Sequence, residues 1–358
     1  MRDRILTAAR GGVPDRVPFT AYTGVFGDPV RQRELQSRGL GLVNIRRSYT
    51  TVTPHVETTS EQVVEDGVVY TLTTTSTPVG SLTRRTRVDS GYGSTWTVEH
   101  LVKRHEDYDI VDFILQDEVY QPDYGSYSEA EVAMGDAGVV FDAVPRVPIQ
   151  RLWIEFTGLE RLSGHLLDCP EQVQKVLATM KQRNEEIWRI VADSPAELVW
   201  CPDNISGDVI GPPWFAKYCA PHYRALAAVV HARGKRIVVH MDGMLRRLVE
   251  QIGATPIDIV EAFTPSPDSD LTLAEGRQAW QGKVLWINFP SSVHIASAEK
   301  VRKQTLNILR DAAPGDGFLI GITENVPEFA QEQSLTTIAE MVGEYGHTPI
   351  DSAVLPDG

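Results

Sequence analysis

PHYRALAAVVHARGKRIVVHMDGML (221–245) contains one complete passage from helix to strand. Tyr223, Leu226, Ala227 and Val230 recur at the 3.6-residue spacing of an amphipathic helix, and Gly234 stands where a helix-ending glycine belongs. Ile237, Val238 and Val239 then form a short β-branched run that reads as a buried strand. His240 ends that run, Asp242 follows two positions on, and Gly243 leads into a second helical pattern, MLRRLVEQIG (244–253). A buried strand that ends in an imidazole and a carboxylate sets two questions: which fold repeats this unit, and what the polar end does.

The unit repeats. AELVWC (196–201), PIDIVEAF (256–263), KVLWINF (283–289) and GFLIGIT (317–323) are further short apolar runs. They alternate with the helical segments LAEGRQAWQG (273–282), SAEKVRKQTLNILRDAA (297–313) and SLTTIAEMVGEY (334–345). Such alternation predicts parallel βαβ units. RVPFTAY (16–22), AGVVFDAV (137–144) and IQRLWIEF (149–156) are the expected earlier strands. Together they bring the number to about eight, that of a closed (β/α)8 TIM barrel. A doubly wound open sheet is the weaker alternative, because no G-x-G-x-x-G stretch follows a strand. Residues 1–358 are expected to form one barrel domain interrupted by a β-rich insertion at about 50–105. There VVYTLTTTSTPVGSLTRRTRV (68–88) alternates at period two around a Pro-Val-Gly turn and predicts an antiparallel hairpin.

Composition limits the function. The chain has 358 residues, 42% hydrophobic and 23% charged, with a formal net charge of −14, the profile of a globular protein. No stretch is dense in Lys or Arg, which argues against a nucleic-acid or anionic-membrane partner. No apolar run approaches the roughly 20 residues of a membrane span, and the charged, Gly- and Pro-broken N-terminus does not read as a signal peptide. Cys169, Cys201 and Cys219 lack Cys-x-x-Cys spacing. They predict a reducing, cytoplasmic setting without a disulfide framework. A metal site would therefore draw mainly on His, Asp and Glu.

Barrel active sites lie at the C-terminal ends of the strands, so the polar residues expected there are the candidates. They are Glu155, then Asp203, Asn204 and Ser206, then His240 and Asp242, then Glu261, Asn288, Glu324 and Asn325. Each also has an ordinary structural reading. Asp242 before Gly243 fits a helix N-cap, Glu324 could pair with a rim cation, and His240 could be a core histidine. Several carboxylates at one mouth with few cations need a metal ion or shared protons. One His with two or three carboxylate oxygens suits a catalytic zinc ion (Zn2+) that keeps an open position. Trp153, Phe156, Trp214, Phe263 and Phe289 near strand ends could form an aromatic slot or simply pack the core.

RILTAARGGVPDRVPF (4–19), TPVGSLTRRTR (77–87) with WTVEHLVKRHEDY (96–108), CPDNISGDVIGPPWFAKYCAPHYRAL (201–226), GKRIVVHMDG (234–243) and GITENVPEFAQEQSLTTIAEMV (321–342) together resemble the uroporphyrinogen decarboxylase superfamily, in its branch of cobalamin-dependent methyltransferases. Thiol-activating members hold zinc with a His-x-Cys motif on the fifth strand and a Cys after the last. His240 matches the His, whereas Asp242 and Glu324 stand in place of the thiols. That exchange turns the expectation from sulfur towards oxygen: a methyl group leaving oxygen needs a Lewis acid to stabilise the alkoxide or phenoxide. The resemblance thus implies O-demethylation of a methoxylated, plausibly aromatic substrate, with cobalamin carried by a partner corrinoid protein as methyl acceptor. In that reading His240 and Glu324 are metal ligands, Glu261 and Asp242 compete for the third position, and Asp203 and Asn204 bond substrate. Glu155, Trp153, Trp214, Phe263 and Asn288 would line the substrate site. A metal-free decarboxylase-like lyase, with Asp203 and His240 moving protons, is the alternative, although VPFTAYTGVFGDP (17–29) lacks the decarboxylases' Arg-rich clamp. A binding protein that kept the barrel and lost its site is a third reading, and self-association is left open.

Overall fold

The computed structural model describes residues 1–88 and 94–356. Its centre is a closed barrel of eight parallel strands: β1 (Phe19–Tyr22), β2 (Leu40–Arg46), β3 (Gly138–Ala143), β4 (Leu198–Cys201), β5 (Arg236–His240), β6 (Ile259–Phe263), β7 (Val284–Asn288) and β8 (Phe318–Ile322). They pair in chain order, and β8 closes on β1 through Phe19–Ile320 and Thr20–Gly321. Residues of β6, β7 and β8 are buried throughout, which is why these strands read as continuous apolar runs rather than alternating ones. Helices separate the strands as the 3.6-residue patterns predict. Ala220–Val230 is helical, and Gly234 adopts the left-handed conformation (φ 70°) that ends the segment and turns it into β5.

The barrel interior is a packed core. Val43, Val139, Phe141, Leu198, Val238, Ile259, Trp286 and Leu319 fill it, joined by Ile5, Leu6, Ala8 and Ala9 of the N-terminal helix Arg2–Ala9.

Three expectations need correction. IQRLWIEF is not a strand: Pro148–Arg151 begins a helix and Leu152–Thr157 continues it in a widened turn. Its apolar run suits either structure, but Pro148 at the first helical turn and the Arg151–Glu155 pair, four residues apart, favour the helix. The strand that completes the eight is instead Leu40–Arg46. Finally, the helix after β5 starts at Arg246, later than expected, as a tight turn that becomes α-helical over Val249–Gly253.

The chain divides into two compact units. The first comprises residues 1–48, 124–144 and 191–358 and contains the whole barrel; the second comprises residues 49–123 and 145–190. In the second, the expected hairpin is present as Val68–Thr77 and Gly80–Val88. Glu57–Glu65 and Thr95–Glu99 extend it to a four-stranded antiparallel sheet. Residues 89–93 of the predicted insertion lie outside the described residues. No helix is long and apolar enough to cross a membrane among the described residues.

Candidate active site at the barrel mouth

The barrel register sets His240, the last residue of β5, directly beside Glu261 of β6. Their side chains meet, with Nδ1 of His240 2.8 Å from Oε2 of Glu261. Glu261 is wholly buried and accepts two more hydrogen bonds: from the Tyr22 hydroxyl on Oε1 (2.7 Å) and from Nε1 of Trp200 on Oε2 (3.0 Å). Tyr22 ends β1 and Trp200 lies in β4, so four strands converge on this one carboxylate. Below it the aromatic rings are layered. Trp200 stands edge-on to both Tyr22 and His240 and stacks on Phe141, which meets Trp286 edge to face.

On its other side His240 faces Asp242, with Nε2 3.6 Å from Oδ2. Asn204 holds that oxygen with a 3.1 Å hydrogen bond from Nδ2. The contact is made possible by two loops that join backbone to backbone. Ile205 N–H donates to His240 O, Gly243 N–H to Ile205 O, and Gly207 N–H to Met244 O. Asn204 takes a left-handed conformation (φ 51°) to make this approach, a backbone that Asn adopts more readily than most residues. The N-cap reading of Asp242 does not hold. The backbone N–H groups of Leu245 and Arg246, where the next helix starts, donate to the Asp270 carboxylate instead.

The electrostatics follow from burial and charge. Burial opposes a charged imidazole at His240, yet the charge and hydrogen bond of Glu261 together with the nearby Asp242 carboxylate overcome it and push its pKa up to about 10. Burial raises the Asp242 pKa, but the nearby His240 imidazole and the hydrogen bond from Asn204 outweigh it and the net shift is downward. Burial and the Glu261 charge hold the Tyr22 hydroxyl well above its usual value, so it remains a proton donor.

These residues fit part of a metal site. The 3.6 Å between Nε2 and Oδ2 is too long for a hydrogen bond. It is close to the roughly 3.4 Å separating two donors on one tetrahedral zinc ion with bonds of ~2.0–2.1 Å. A carboxylate behind the other imidazole nitrogen is the usual orienting partner of a metal-bound histidine, and Glu261 occupies that place. Glu324 is exposed and accepts from the Ser291 hydroxyl. Among the described residues no three His, Cys, Asp or Glu side chains are gathered as a ligand set.

The remaining candidates are placed elsewhere. Asp203 is buried and accepts from the Tyr223 hydroxyl (2.7 Å), which supports the loop after β4. Asn288 accepts from Thr323 N–H (3.0 Å) and donates to Thr264 Oγ1 (3.3 Å), tying strand ends together. Phe263 packs edge to face on Trp280, and Phe289 is buried against His294, so both are core. Trp214 ends a short helix, not a strand, and meets Tyr218 edge to face. Glu155, Trp153 and Phe156 belong to the second unit and to a helix rather than a strand. Glu155 pairs with Arg151 and Arg146, Trp153 donates to Gln150, and Phe156 lies under the Arg151 guanidinium. The three cysteines are free thiols, all buried. The sequence reading missed Tyr22 and Trp200. Both end or nearly end predicted strands, and only an aromatic ring with a polar tip marks them as able to serve a buried carboxylate.

The family model described as uroporphyrinogen decarboxylase (URO-D) matches residues 155–345. Among solved structures, a methyltransferase from Methanosarcina mazei superposes over 96% of this chain and 98% of its own with a TM-score of 0.57 at 10% identity. At that identity the likeness shows a shared fold. A glycoside hydrolase family 5 enzyme from Prevotella bryantii B14 aligns over 96% of this chain and 98% of its own, with a TM-score of 0.43 at 11% identity. No curated protein matches the chain in sequence.

Proposed function

This chain belongs to the uroporphyrinogen decarboxylase family, and from that premise we propose that it is a zinc-dependent methyltransferase of the cobalamin-using branch. It takes a methyl group from the oxygen of a methoxylated, aromatic substrate and delivers it to the cobalamin of a partner corrinoid protein. The observation that carries this reading is the pairing of His240 Nε2 with Asp242 Oδ2, backed by Glu261, at the mouth of the barrel. His240 and Asp242 would hold the metal, and Glu324, after leaving Ser291, would be the third ligand. Glu261, bonded to three donors, serves as the orienting carboxylate in this scheme rather than as a ligand.

Bound zinc would supply a Lewis acid for the substrate oxygen. Nitrogen and carboxylate donors leave it harder than thiolates would, which suits oxygen over sulfur. The chain's own groups do the rest. Glu261 fixes the imidazole, Asn204 fixes the Asp242 carboxylate, and Trp200 and Tyr22 offer aromatic surface against which a planar substrate packs. Reduced cobalamin on the partner would supply the electron pair that takes up the methyl group, and the pair of the cleaved carbon–oxygen bond would stay on the substrate oxygen. The metal-free lyase is favoured less, because Asp203, its second proton-transfer group, is buried beneath Tyr223.

Elemental analysis of the purified chain and of His240→Ala tests the metal. One zinc per chain, lost in the variant, is expected; zinc retained in the variant sinks the site. Mixing the zinc-bound protein with reduced cobalamin and a panel of methoxylated aromatics tests the transfer. A shift of the cobalamin spectrum to the methylated form is expected, and no shift with any donor tells against methyl transfer.

A further inference from the structure

The second unit has a cavity of its own, of about 500 Å3, with His100, Lys103, Gly158, Glu160 and Arg161 in its walls. That volume suits a small molecule rather than a bare ion. Two segments form the walls and are tied together through Val102. Its N–H donates to Phe156 O (2.8 Å), and its carbonyl accepts from a terminal nitrogen of Arg161 (2.9 Å). Gly158 lets His100 come close to the second segment. A methyl group there would lie 3.0 Å from Nδ1 of His100, and its φ of 76° is one that glycine takes without strain. Gly158 is also the N-cap of the helix Leu159–Asp168 and has no side chain with which to bond the first-turn N–H groups. The residues of that turn, Leu159, Glu160 and Arg161, border the cavity.

Charge at this place runs against the rest of the chain. The net charge is −14, yet Lys103 and Arg161 line the cavity beside His100. Arg84 of the strand Gly80–Val88 is close enough to act on the same imidazole. Its Nε is buried and has no hydrogen-bond partner among the described residues. Glu99 and Glu160 are the carboxylates of the lining, and Lys103 engages Glu99 at 3.1 Å. Burial first, then the charges of Arg161 and Arg84, lower the His100 pKa against a weaker pull from the Ile154 backbone. The charges that His100 feels are therefore cationic, although Glu99 precedes it in the chain.

We infer that this cavity binds a small organic phosphate, held by His100, Lys103, Arg161 and the first turn of the helix that starts at Leu159. A phosphate monoester carries up to two negative charges and three acceptor oxygens, enough to engage donors arriving from several sides. A carboxylate has one charge and two oxygens. The start of a helix adds its own preference for an anion. All the lining residues belong to the second unit, so the site owes nothing to whether His240 and Asp242 hold metal.

Isothermal titration of the full chain at neutral pH and low ionic strength, with inorganic phosphate, phenyl phosphate and benzoate, tests this, beside urea denaturation of each variant. One site per chain is expected, filled more tightly by phenyl phosphate than by either other probe and weakened by salt. Lys103→Gln and Arg161→Gln should each weaken it by about 10-fold. Glu160→Gln removes a competing charge and should strengthen it by about 2- to 5-fold, a change of sign that lost packing does not produce. The His100 imidazole, followed by NMR and assigned with His100→Gln, should titrate at higher pH once phosphate is bound, because the anion stabilises its charged form. No saturable binding of either phosphate at millimolar concentration overturns the inference. So does binding that leaves His100 and both cation variants at wild-type values, which would put the ligand elsewhere, and so do losses that merely track lost stability. Benzoate bound as well as phenyl phosphate overturns the choice of phosphate. A phosphoserine peptide bound more tightly than phenyl phosphate would make the ligand another protein's phosphate and overturn the small molecule.

Discussion

Gly243 is held in place by space, not by backbone angle. A methyl group at this position would lie 2.3 Å from Cβ and 2.7 Å from Cα of Ser206. A backbone neighbour cannot rotate away, so Gly243→Ala must push apart the loops after β4 and β5. Those loops are joined by the Gly243–Ile205 backbone hydrogen bond (3.1 Å) and by Asn204 to Asp242. Overpacking of this kind costs about 1–3 kcal/mol, which urea denaturation would register. Ser206→Gly in the same chain removes the nearer obstacle and should restore part of the loss. A Gly243→Ala protein as stable as wild type would mean that the two loops do not pack as described. The same contact answers what Asp242 does at the end of a buried strand. With Asp270 holding the start of the next helix, Asp242 is left to face His240.

Asn288 works at the scale of whole strands, since its side chain joins the segments that follow β6 and β8 to the end of β7. It is 1% exposed, so Asn288→Ala leaves the Thr323 N–H and Thr264 hydroxyl short of a partner. That costs about 1–3 kcal/mol, measurable as a lower urea midpoint with an unchanged slope; no change would mean that water replaces the amide freely. Asn288 was expected to meet substrate, and its case shows how far the sequence could be read. The barrel was legible because strands buried on both faces appear as apolar runs between helical patterns. IQRLWIEF misled because a run of eight apolar and mixed residues fits strand or helix alike. Leu40–Arg46 escaped notice because only its first four residues are buried and two glycines precede and interrupt it. At the site, His240, Asp242 and Asn204 stood out as polar residues at strand ends. The hub role of Glu261 did not, because it depends on the β5–β6 register, which spacing along the chain does not reveal. Tyr22 and Trp200 were hidden for a different reason: an aromatic residue near a strand end is indistinguishable in sequence from core.

Over the molecule as a whole, pH dependence of stability offers a check independent of the site. His294 is 3% exposed, its Nδ1 lies 2.7 Å from the Ser334 hydroxyl, and it packs against Phe289. Burial lowers its pKa to about 4, against a smaller opposing pull from Asp268. The unfolded chain takes up this proton near pH 6.5, whereas the folded chain refuses it until about pH 4. Stability from this group is therefore complete above pH 6.5, declines as pH falls from 6.5 to 4, and is lost below that. The full shift corresponds to about 3 kcal/mol. Asp15, paired with Arg4, has its pKa lowered to about 2 and acts in a lower window, between roughly pH 4 and 2. It is 69% exposed, so solvent screening leaves it a small effect. The two windows barely overlap, which makes the assignment testable. Urea denaturation of the chain from pH 8 to 4 should show the decline, and His294→Gln, which keeps a polar partner for Ser334 without a titrating ring, should flatten it. A wild-type curve already flat over that range, or a decline that survives the substitution, would place the pH sensitivity elsewhere in the molecule.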